Sequence, residues 1–286
     1  MNGFLFIDKP KGWTSRDVCN RIQHLFHEKK VGHTGTLDPF ATGLLIVCLG
    51  SATKTIPLLE RADKEYLAEL TLGSKTSTGD VTGEIIETKP VGEITSQQVK
   101  EVLSSLVGDM EQIPPMTSAV HVNGRKLYTY HYQGQEVERK SRKISIKSCE
   151  LMSFSSNIII FKCRVSKGTY LRTFGETIAE KLKTVGYLSN LRRLKIDRFD
   201  VQNSSVLGNI KAESLLSLAD VLMQCVPFIV VDDQRAQKIK NGMQITIENV
   251  LPKYDKIIVM NEKGECLAIY TRFNGPLFKC QRGLIS

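Results

Sequence analysis

One carboxylate stands out because of the backbone around it. The stretch VGHTGTLDPFATGLL (31–45) carries a single acid, Asp38, among three glycines, Gly32, Gly35 and Gly43. Glycine permits positive φ angles and lets a ligand or another backbone approach closely. The segment could therefore wrap around a substrate with Asp38 pointing into the cavity. An ionised carboxylate held there could attack a substrate atom or remove a proton.

Each candidate residue also has an ordinary structural explanation. An aspartate before a proline is typical of a turn, and a histidine such as His33 often has no special role. Arg172 in KGTYLRT is either a solvated helix residue or a buried partner for a carboxylate. Tyr66 and Tyr170 are either amphipathic core residues or substrate contacts. Residue types alone leave these alternatives open.

A basic and aromatic segment suggests a nucleic-acid partner. HVNGRKLYTYHYQGQEVERKSRK (121–143) interleaves tyrosines and histidines with a basic tail. Aromatic rings stack on bases while cations neutralise phosphates, which is how proteins bind RNA. The alternative is a solvated charged loop followed by a strand. We expect RNA contacts from the basic residues Lys9, Arg125, Lys126, Arg139, Lys140, Arg142 and Lys143.

Composition narrows the class of protein. The 39 Lys and Arg residues against 30 Asp and Glu give a net charge of +9, which favours phosphate-rich polyanions or acidic membrane surfaces. No apolar run reaches the ~18 residues of a membrane span, and the first residues lack the apolar core of a signal peptide. The seven cysteines are scattered without a CxxC pair. We therefore expect a cytoplasmic, reduced and metal-free protein.

Common motifs for other chemistries are absent. The chain has no GxxxxGK[ST] phosphate loop, no GxSxG elbow, no HExxH helix and no GxGxxG fingerprint in a suitable context. The sequence therefore carries no motif that points to a nucleotide, redox or metal cofactor, and the reaction implied by the family resemblance described below needs none.

The elements that position these residues are mixed, because the apolar periodicity switches between 2 and 3.6. FLFID (4–8) predicts a strand, and Thr14 or Ser15 then caps a helix. Thr95 and Gln98 form a capping box for a second helix that we expect to stop at Gly108. The apolar stripes of these two helices are Val18, Ile22, Leu25 and Phe26, and Val99, Val102, Leu103 and Leu106.

Later segments complete the expected organisation. NIIIFKCRV (157–165) predicts a strand, a helix begins near GTY (168–170), and AESLLSLADVLM (212–223) predicts another helix. A boundary is expected near residue 225. Short strands follow in the tail, with turns predicted at the segments 240–242, 261–264 and 273–275.

Taken together, these segments resemble one family, the TruB-type tRNA pseudouridine synthases. GHTGTLDPFATGLL (32–45) is similar to the family's GxLDPxAxG block, and SKGTYLRT (166–173) to its SxGTYIR motif. The other matching segments, in order, are DKPKGWTS (8–15), KEYLAELTLGSKTSTGDVTG (64–83), QIPPMTSAVHVNGRKLY (112–128) and LSNLRRLKIDRF (188–199). Some positions depart from the family pattern. Thr117 stands where tyrosine is common, and His121 where lysine is common. After TYLRT (169–173) the chain also lacks the family's Asp-Leu-Gly and the histidine before the final leucine, where Ala179 and Tyr187 lie nearby.

The resemblance implies an α+β fold. Residues 1–225 would form the pseudouridine-synthase catalytic domain, a mixed and largely antiparallel sheet flanked by helices. A thumb or lid at about 112–143 would cover the RNA. Residues 226–286 would form a small β-rich PUA-like RNA-binding domain, an interpretation that depends on the tail's position, its length and its ending FNGPLFKCQRGLIS (273–286).

The same resemblance implies roles for individual residues. Asp38 would be the essential carboxylate, Tyr66 would pack beside the target uracil, and Arg172 would pair with Asp38. The other pocket residues would be Tyr170, Leu191 and His33, the last contacting substrate near the space vacated by the flipped nucleotide.

The implied reaction is conversion of uridine to pseudouridine at T-loop position 55 of tRNA, with the T-arm stem-loop as partner and no protein partner required. Asp38 could attack C1′, attack C6, or eliminate toward a glycal. Two rival hypotheses remain: a synthase acting on another RNA or through a guide complex, and a non-catalytic RNA binder or tRNA-folding chaperone on the same scaffold.

Overall fold

The computed structural model describes residues 1–247 and 254–284 of the chain. Its strands are β1 (Gly3–Lys9), β2 (Val31–His33), β3 (Thr42–Leu49), β4 (Lys64–Leu72), β5 (Ser74–Thr76), β6 (Ile85–Thr88), β7 (Gly108–Gln112), β8 (His121–Val122), β9 (Arg125–Lys126), β10 (Arg142–Ser155), β11 (Ile158–Val165), β12 (Gly186–Ile196), β13 (Phe199–Asp200), β14 (Ser205–Val206), β15 (Phe228–Val231), β16 (Ile245–Thr246), β17 (Lys256–Asn261), β18 (Cys266–Asn274) and β19 (Leu277–Gly283).

Helices are fewer and mostly short. The α-helices are α1 (Ser15–Phe26), α2 (Ile56–Leu59), α3 (Ser96–Ser105), α4 (Leu127–Tyr132), α5 (Leu171–Lys181), α6 (Leu218–Cys225) and α7 (Asp233–Lys240). Short 3-10 helices occupy Gly50–Thr55, Val201–Asn203, Leu207–Asn209 and Ala212–Ser214.

A ten-stranded sheet forms the main body, in the order β14-β1-β3-β12-β4-β11-β10-β7, with β2 and β13 paired to β3 and β12. The β1–β14 and β3–β12 pairs are parallel, and every other described pair in this sheet is antiparallel. The predicted mixed, largely antiparallel sheet is confirmed. The hairpins β5–β6 and β8–β9 stand outside this sheet.

Strand β3 shows why the sheet is stable. Its residues from Leu44 to Leu49 are fully buried, and alternate side chains enter two different cores. Leu44 and Ile46 pack in one cluster while Leu45 and Val47 pack in the other, because successive side chains on a strand point to opposite faces. The sequence of a strand that is buried on both faces is a continuous apolar run, as in β3.

Local capping explains where α1 and α3 begin. Thr14 is the N-cap of α1, and Thr95 forms the predicted capping box with Gln98 at α3. The predicted stop of α3 is wrong, because the helix ends at Ser105 and Gly108, with φ of +130°, begins β7.

Two further predictions about helices need correction. Leu25 of the predicted α1 stripe is 43% exposed, whereas the other members are buried or half-buried. The helix predicted over 212–223 begins only at Leu218, because Ser217 and Asp220 form a capping box there. The sequence reading also missed helix α7, whose N-cap is Asp232.

The tail forms a five-stranded sheet in the order β15-β17-β18-β19-β16. Turns follow α7, β17 and β18 at the three predicted segments. One face of this sheet packs into the main body, where Ile258 and Met260 share a core cluster with Phe4 and Leu44. Residues 285 and 286, the last two of the predicted tail segment, lie outside the described residues.

The segment predicted as a thumb, at about 112–143, leaves the main sheet after β7 and returns to it at β10. Strands β7 and β10 pair at its base, where Gln112 lies opposite Arg142. The hairpin β8–β9 and helix α4 lie between them. Both ends of the thumb are therefore fixed in the sheet. Among the described residues, no helix has the length and apolarity needed to cross a membrane.

Candidate active site

A cavity of about 890 Å³ lies where several elements converge on the main sheet. Its walls come from the loop after β2, the start of β4, the first turn of α5, the middle of β12 and the thumb. Five of the residues predicted for the pocket, together with Asp38, line this one cavity: His33, Tyr66, Tyr170, Arg172 and Leu191.

The loop that carries Asp38 is tied to helix α1 and to the turn before that helix. The Ser15 hydroxyl oxygen accepts the Leu37 N–H at 2.8 Å and lies 3.1 Å from the Leu37 carbonyl oxygen, to which it donates. The Gly12 N–H donates to the Pro39 carbonyl at 2.8 Å. Asp38 is therefore held between two anchored neighbours.

Lys9 lies beneath the same loop and is fully buried. Its Nζ donates to the carbonyl oxygens of Trp13 at 2.7 Å, Pro10 at 3.0 Å and Pro39 at 3.4 Å. Burial lowers the pKa of Lys9 to about 8, and the nearby Asp38 carboxylate opposes that shift. The structure thus differs from the predicted RNA contact: the ammonium group is used inside the protein to organise the Asp38 loop.

Arg172 and Asp38 form a side-on ion pair. Arg172 Nε lies 3.0 Å from Asp38 Oδ2, and Nη2 lies 3.3 Å from Oδ1. The Arg172 side chain is 4% exposed, whereas that of Asp38 is 32% exposed. Two parallel N–H···O contacts fix the orientation of a carboxylate as well as its charge. Asp38 is therefore oriented by a buried cation while part of its carboxylate remains open to the cavity.

A second buried carboxylate, Asp80, lies beside this pair and was assigned no role from sequence. Its Oδ2 is 3.6 Å from Arg172 Nε. Its Oδ1 accepts the Thr82 N–H and the Thr78 hydroxyl, both at 2.9 Å. The available signal was the lone acid in STGDVTG (77–83), within a segment already matched to the family.

The charge of Asp38 results from opposing effects. Burial raises the pKa of Asp38 above its ordinary value of 3.8, and this is the largest effect. The guanidinium of Arg172 lowers that pKa, Asp80 raises it, and Lys9 lowers it. Ionisation of Asp38 therefore depends on its two cationic neighbours.

Tyr66 and Arg193 line the cavity as neighbours. Tyr66 is 8% exposed, and burial raises the pKa of its phenol, with the neighbouring Arg193 opposing the shift. Arg193 is 1% exposed and donates to the carbonyl oxygens of Leu44 at 2.7 Å, Gly35 at 3.1 Å and Thr36 at 3.4 Å. In the part of the chain that the structure describes, no carboxylate lies within 4.0 Å of its charged nitrogens. Sequence reasoning missed this buried cation, although it lies in the matched LRRLK segment (191–195).

The remaining predicted pocket residues, His33, Leu191 and Tyr170, also line the cavity. The His33 Nδ1 accepts the Gly35 N–H at 3.3 Å, and burial lowers the pKa of His33 to about 4, reinforced by nearby arginines. The imidazole is therefore neutral at physiological pH. Leu191 is 4% exposed on β12. Tyr170 is the N-cap of α5 and exchanges two hydrogen bonds with Gln112 at the base of the thumb.

The other residues predicted to contact RNA belong to the thumb and its base. Lys126 lies at the cavity beside Tyr128, with its Nζ 5.5 Å from the ring centroid. Arg139 donates to the Pro114 carbonyl at 3.1 Å and is half-buried. The remaining basic residues of this predicted set are exposed to solvent: Arg125, Lys140, Arg142 and Lys143.

Cysteine side chains do not supply the chemistry of this cavity, because none of them lines it. All seven are free thiols. Burial raises the pKa of Cys163 well above its ordinary value, which disfavours the reactive thiolate. Within residues 1–247 and 254–284, no three His, Cys, Asp or Glu side chains group as a metal site would require.

Comparison with known proteins extends these observations. The sequence matches the family model described as TruB family pseudouridylate synthase (N terminal domain) over residues 23–171, a span that includes Asp38 and Tyr66. The tRNA pseudouridine synthase B of Bacillus cereus is 42% identical over 284 residues, covering 94% of this chain and 92% of that protein. The protein of the same name from Clostridium kluyveri is 40% identical over 256 residues, covering 88% of each.

Solved structures share the fold. A crystal structure of a Cbf5-Nop10-Gar1 complex matches with a TM-score of 0.75 and 21% identity, covering 99% of this chain and 85% of that chain. A structure of an H/ACA RNP bound to a substrate RNA matches with a TM-score of 0.76 and 19% identity, with the same coverage. The predicted pseudouridine-synthase fold is therefore confirmed. With this fold and the 42% identity to a relative along nearly its whole length, the chain belongs to the TruB family of pseudouridylate synthases.

Proposed function

We propose that this protein isomerises uridine to pseudouridine at T-loop position 55 of tRNA, with Asp38 as the essential carboxylate. The observation that carries the proposal is the side-on pair between cavity-facing Asp38 and buried Arg172. The relatives named tRNA pseudouridine synthase B support an isomerase that acts on tRNA.

The reaction suits the groups that line the cavity. The N1–C1′ bond of uridine breaks, the uracil turns, and a C5–C1′ bond forms. C5 loses its proton and N1 gains one, so the oxidation state is unchanged and no outside group is transferred. Attack at C1′, attack at C6 and elimination toward a glycal all use the ionised form of Asp38. Arg172 favours that form through its charge and its two hydrogen bonds.

The target uridine must leave its stack to reach Asp38, at a cost of a few kcal/mol. Contact with the Tyr66 ring can return ~1–3 kcal/mol, the range for base–aromatic stacking. The cavity of about 890 Å³ is large enough for one nucleotide. We assign Leu191 and Tyr170 to its walls and neutral His33 to contact with substrate near the space left by the flipped nucleotide.

Electrostatics favour an RNA ligand at this cavity. Cationic side chains outnumber carboxylates among its lining residues, and burial concentrates their field toward the opening. The cationic residues are Arg16, Arg61, Lys64, Lys126, Lys167, Arg172 and Arg193, against Asp38 and Glu60.

We also propose roles for the parts outside the cavity. Residues 1–225 would form the catalytic domain, with the thumb at about 112–143 covering the T-arm stem-loop. Residues 226–286 would form a PUA-like RNA-binding domain, a role supported by their five-stranded sheet. The protein would work in the cytoplasm on free tRNA, without a protein partner or cofactor.

Release of tritium from uracil C5 tests the catalytic assignment. Wild-type protein incubated with a T-arm stem-loop labelled at C5 should release tritium, because C5 loses its hydrogen during the isomerisation. Asp38→Asn should release essentially none while still binding the RNA. The matched control is Asp109→Asn, which alters an exposed aspartate on β7 away from the cavity. Full activity of Asp38→Asn would disprove the role of this carboxylate.

The position of the target is tested with the same assay. Replacing the uridine at position 55 with cytidine should abolish tritium release from a stem-loop whose remaining uridines are labelled at C5. Continued release would show that another uridine is the substrate. Such a result would contradict the proposed position and leave the assignment of Asp38 intact.

A further inference from the structure

Thr117 of the thumb contacts Arg172 directly. The Thr117 carbonyl oxygen accepts from Arg172 Nη2 at 3.2 Å. The Thr117 hydroxyl accepts from Arg172 Nη1. Thr117 also lines the cavity, next to the residue that pairs with Asp38. A single threonine thus supplies two acceptors to one buried guanidinium.

The hydrogen bonds of Arg172 show what these contacts do. Nε and Nη2 face the two oxygens of Asp38, and Nε also lies near Asp80. Nη1 faces away from Asp38 and has two acceptors, the Thr78 carbonyl at 3.0 Å and the Thr117 hydroxyl. Since a guanidinium is planar and rigid, contacts on Nη1 fix the direction of the edge that binds Asp38.

Thumb and helix are also joined beside this contact. Gln112, at the base of the thumb, accepts the Tyr170 N–H at 2.8 Å and donates to the Tyr170 carbonyl at 3.1 Å. Tyr170 immediately precedes α5, whose first turn carries Arg172. The thumb therefore forms hydrogen bonds both with the backbone of this turn, at Tyr170, and with the guanidinium of Arg172.

We propose that Thr117 is a positioning residue whose hydroxyl holds the Arg172 guanidinium in the orientation that Asp38 requires, so that a docked thumb completes the catalytic ion pair. The inference rests on the proposed function of Asp38 and goes beyond it, because it assigns the thumb a part in chemistry in addition to covering RNA. The neighbouring hydroxyl of Ser118 serves no such purpose. It is buried with no hydrogen-bond partner among the described residues.

Removing only the hydroxyl tests the proposal. Thr117→Val keeps the shape and the carbonyl contact but leaves one N–H of buried Nη1 without its acceptor. We expect kcat for tritium release to fall about ten- to a hundredfold, the range for an unsatisfied buried donor, while KM changes less than about threefold. Thr117→Ser restores a hydroxyl and should return kcat to within about threefold of wild type. The matched control is Thr177→Val on α5, which removes a hydroxyl that donates to the Thr173 carbonyl within the same helix.

The acid limb of the pH–rate profile gives a second readout that a general packing defect would not move. The charged groups facing Asp38 are Arg172, Asp80 and Lys9. A loosened Arg172 stabilises the carboxylate less, so the limb of Thr117→Val should move to higher pH. Unchanged kcat and an unchanged limb in Thr117→Val would overturn the inference. Equal losses in Thr117→Val and Thr117→Ser would also overturn it. A wild-type protein without tritium release would instead refute the proposed function.

Discussion

Asp38 is a charged group in a place that disfavours charge. Burial raises its pKa, and the ion pair with Arg172 works in the opposite direction. Asp80 approaches the same Nε atom of Arg172, with its Oδ2 at 3.6 Å, and so competes with Asp38 for the guanidinium. The Asp38 carboxyl therefore has a pKa above its ordinary value, with Arg172 limiting the rise, and perturbed pKa values are common among catalytic acids and bases.

The pH dependence of the reaction follows from this balance. A carboxyl group whose folded pKa is raised takes up its proton at a higher pH than a free aspartate. Activity that requires ionised Asp38 should therefore fall, as pH decreases, at a point above the ordinary pKa of 3.8. Arg172→Lys keeps a charge but loses the two-pronged contact, so its acid limb should lie at still higher pH.

Single-turnover tritium release across the acid range measures this limb. Arg164→Lys is the control, because it changes a half-exposed arginine paired with Asp63 outside the cavity. If wild type and Arg172→Lys lost activity over the same pH range, the assigned role of the arginine would be contradicted.

At the scale of elements, the crossing of β3 and β12 decides where the cavity wall lies. These strands pair in parallel with Gly43 opposite Arg193. A Cβ atom on Gly43 would lie 2.2 Å from the Arg193 carbonyl oxygen, and the backbone of Gly43 has φ of +103°. Glycine at 43 therefore permits the close approach that lets Arg193 reach the carbonyl oxygens of Gly35 and Thr36 in the Asp38 loop.

We expect Gly43→Ala to destabilise the protein by about 3 kcal/mol or more, because the clash adds to the cost of the left-handed backbone. Urea unfolding followed by circular dichroism measures the change. Gly208→Ala is the control, because a Cβ atom there meets nothing within 4 Å. Its free energy of unfolding should stay within about 0.5 kcal/mol of wild type. Equal midpoints for the two variants would show that the crossing tolerates a side chain.

At the scale of the whole molecule, a shared apolar core joins the tail to the main sheet, and the protein as a whole carries a positive net charge. The net charge of +9 is spread over the cavity rim, the thumb and the tail. Ile258 and Cys266 of the tail pack in one cluster with Phe6 and Ile196 of the main sheet. Lys54 also donates to the Gly283 carbonyl at 2.7 Å. The proposed tail domain is therefore supported on the same body that carries the cavity.

Binding of the T-arm stem-loop should weaken steeply as salt rises, because phosphate contacts release counterions. Lys126→Gln removes an exposed cation at the cavity, so the slope of log affinity against log salt should fall by about one. Filter binding with the inactive Asp38→Asn protein measures this slope. Lys100→Gln, on the exposed face of α3, is the control and should keep the wild-type slope. Equal slopes for both lysine variants would exclude Lys126 as a phosphate contact.

Features encoded within a few residues could be predicted from the sequence. The capping box of Thr95, the apolar strand β11 and the turn glycines of the tail all depend on local periodicity or local hydrogen bonds. Ordered motifs similarly predicted the pocket residues that the structure brings together around Asp38. The end of α3 and the start of α6 were predicted wrongly. Helix α3 ends at Ser105, before the predicted Gly108, and α6 begins at the later capping box of Ser217 and Asp220.

By itself, the sequence determined the family, the fold class and the choice of Asp38, Tyr66 and Arg172 as site residues. Only the tertiary structure decided how those residues are held. Asp38 and Arg172 are 134 positions apart, so their contact exists only after the sheet has formed. The burial of Lys9 and the hydrogen bond between Arg172 and Thr117 likewise depend on how distant segments pack together. A side chain's partner depends on which distant backbone approaches it, and no local pattern encodes that approach.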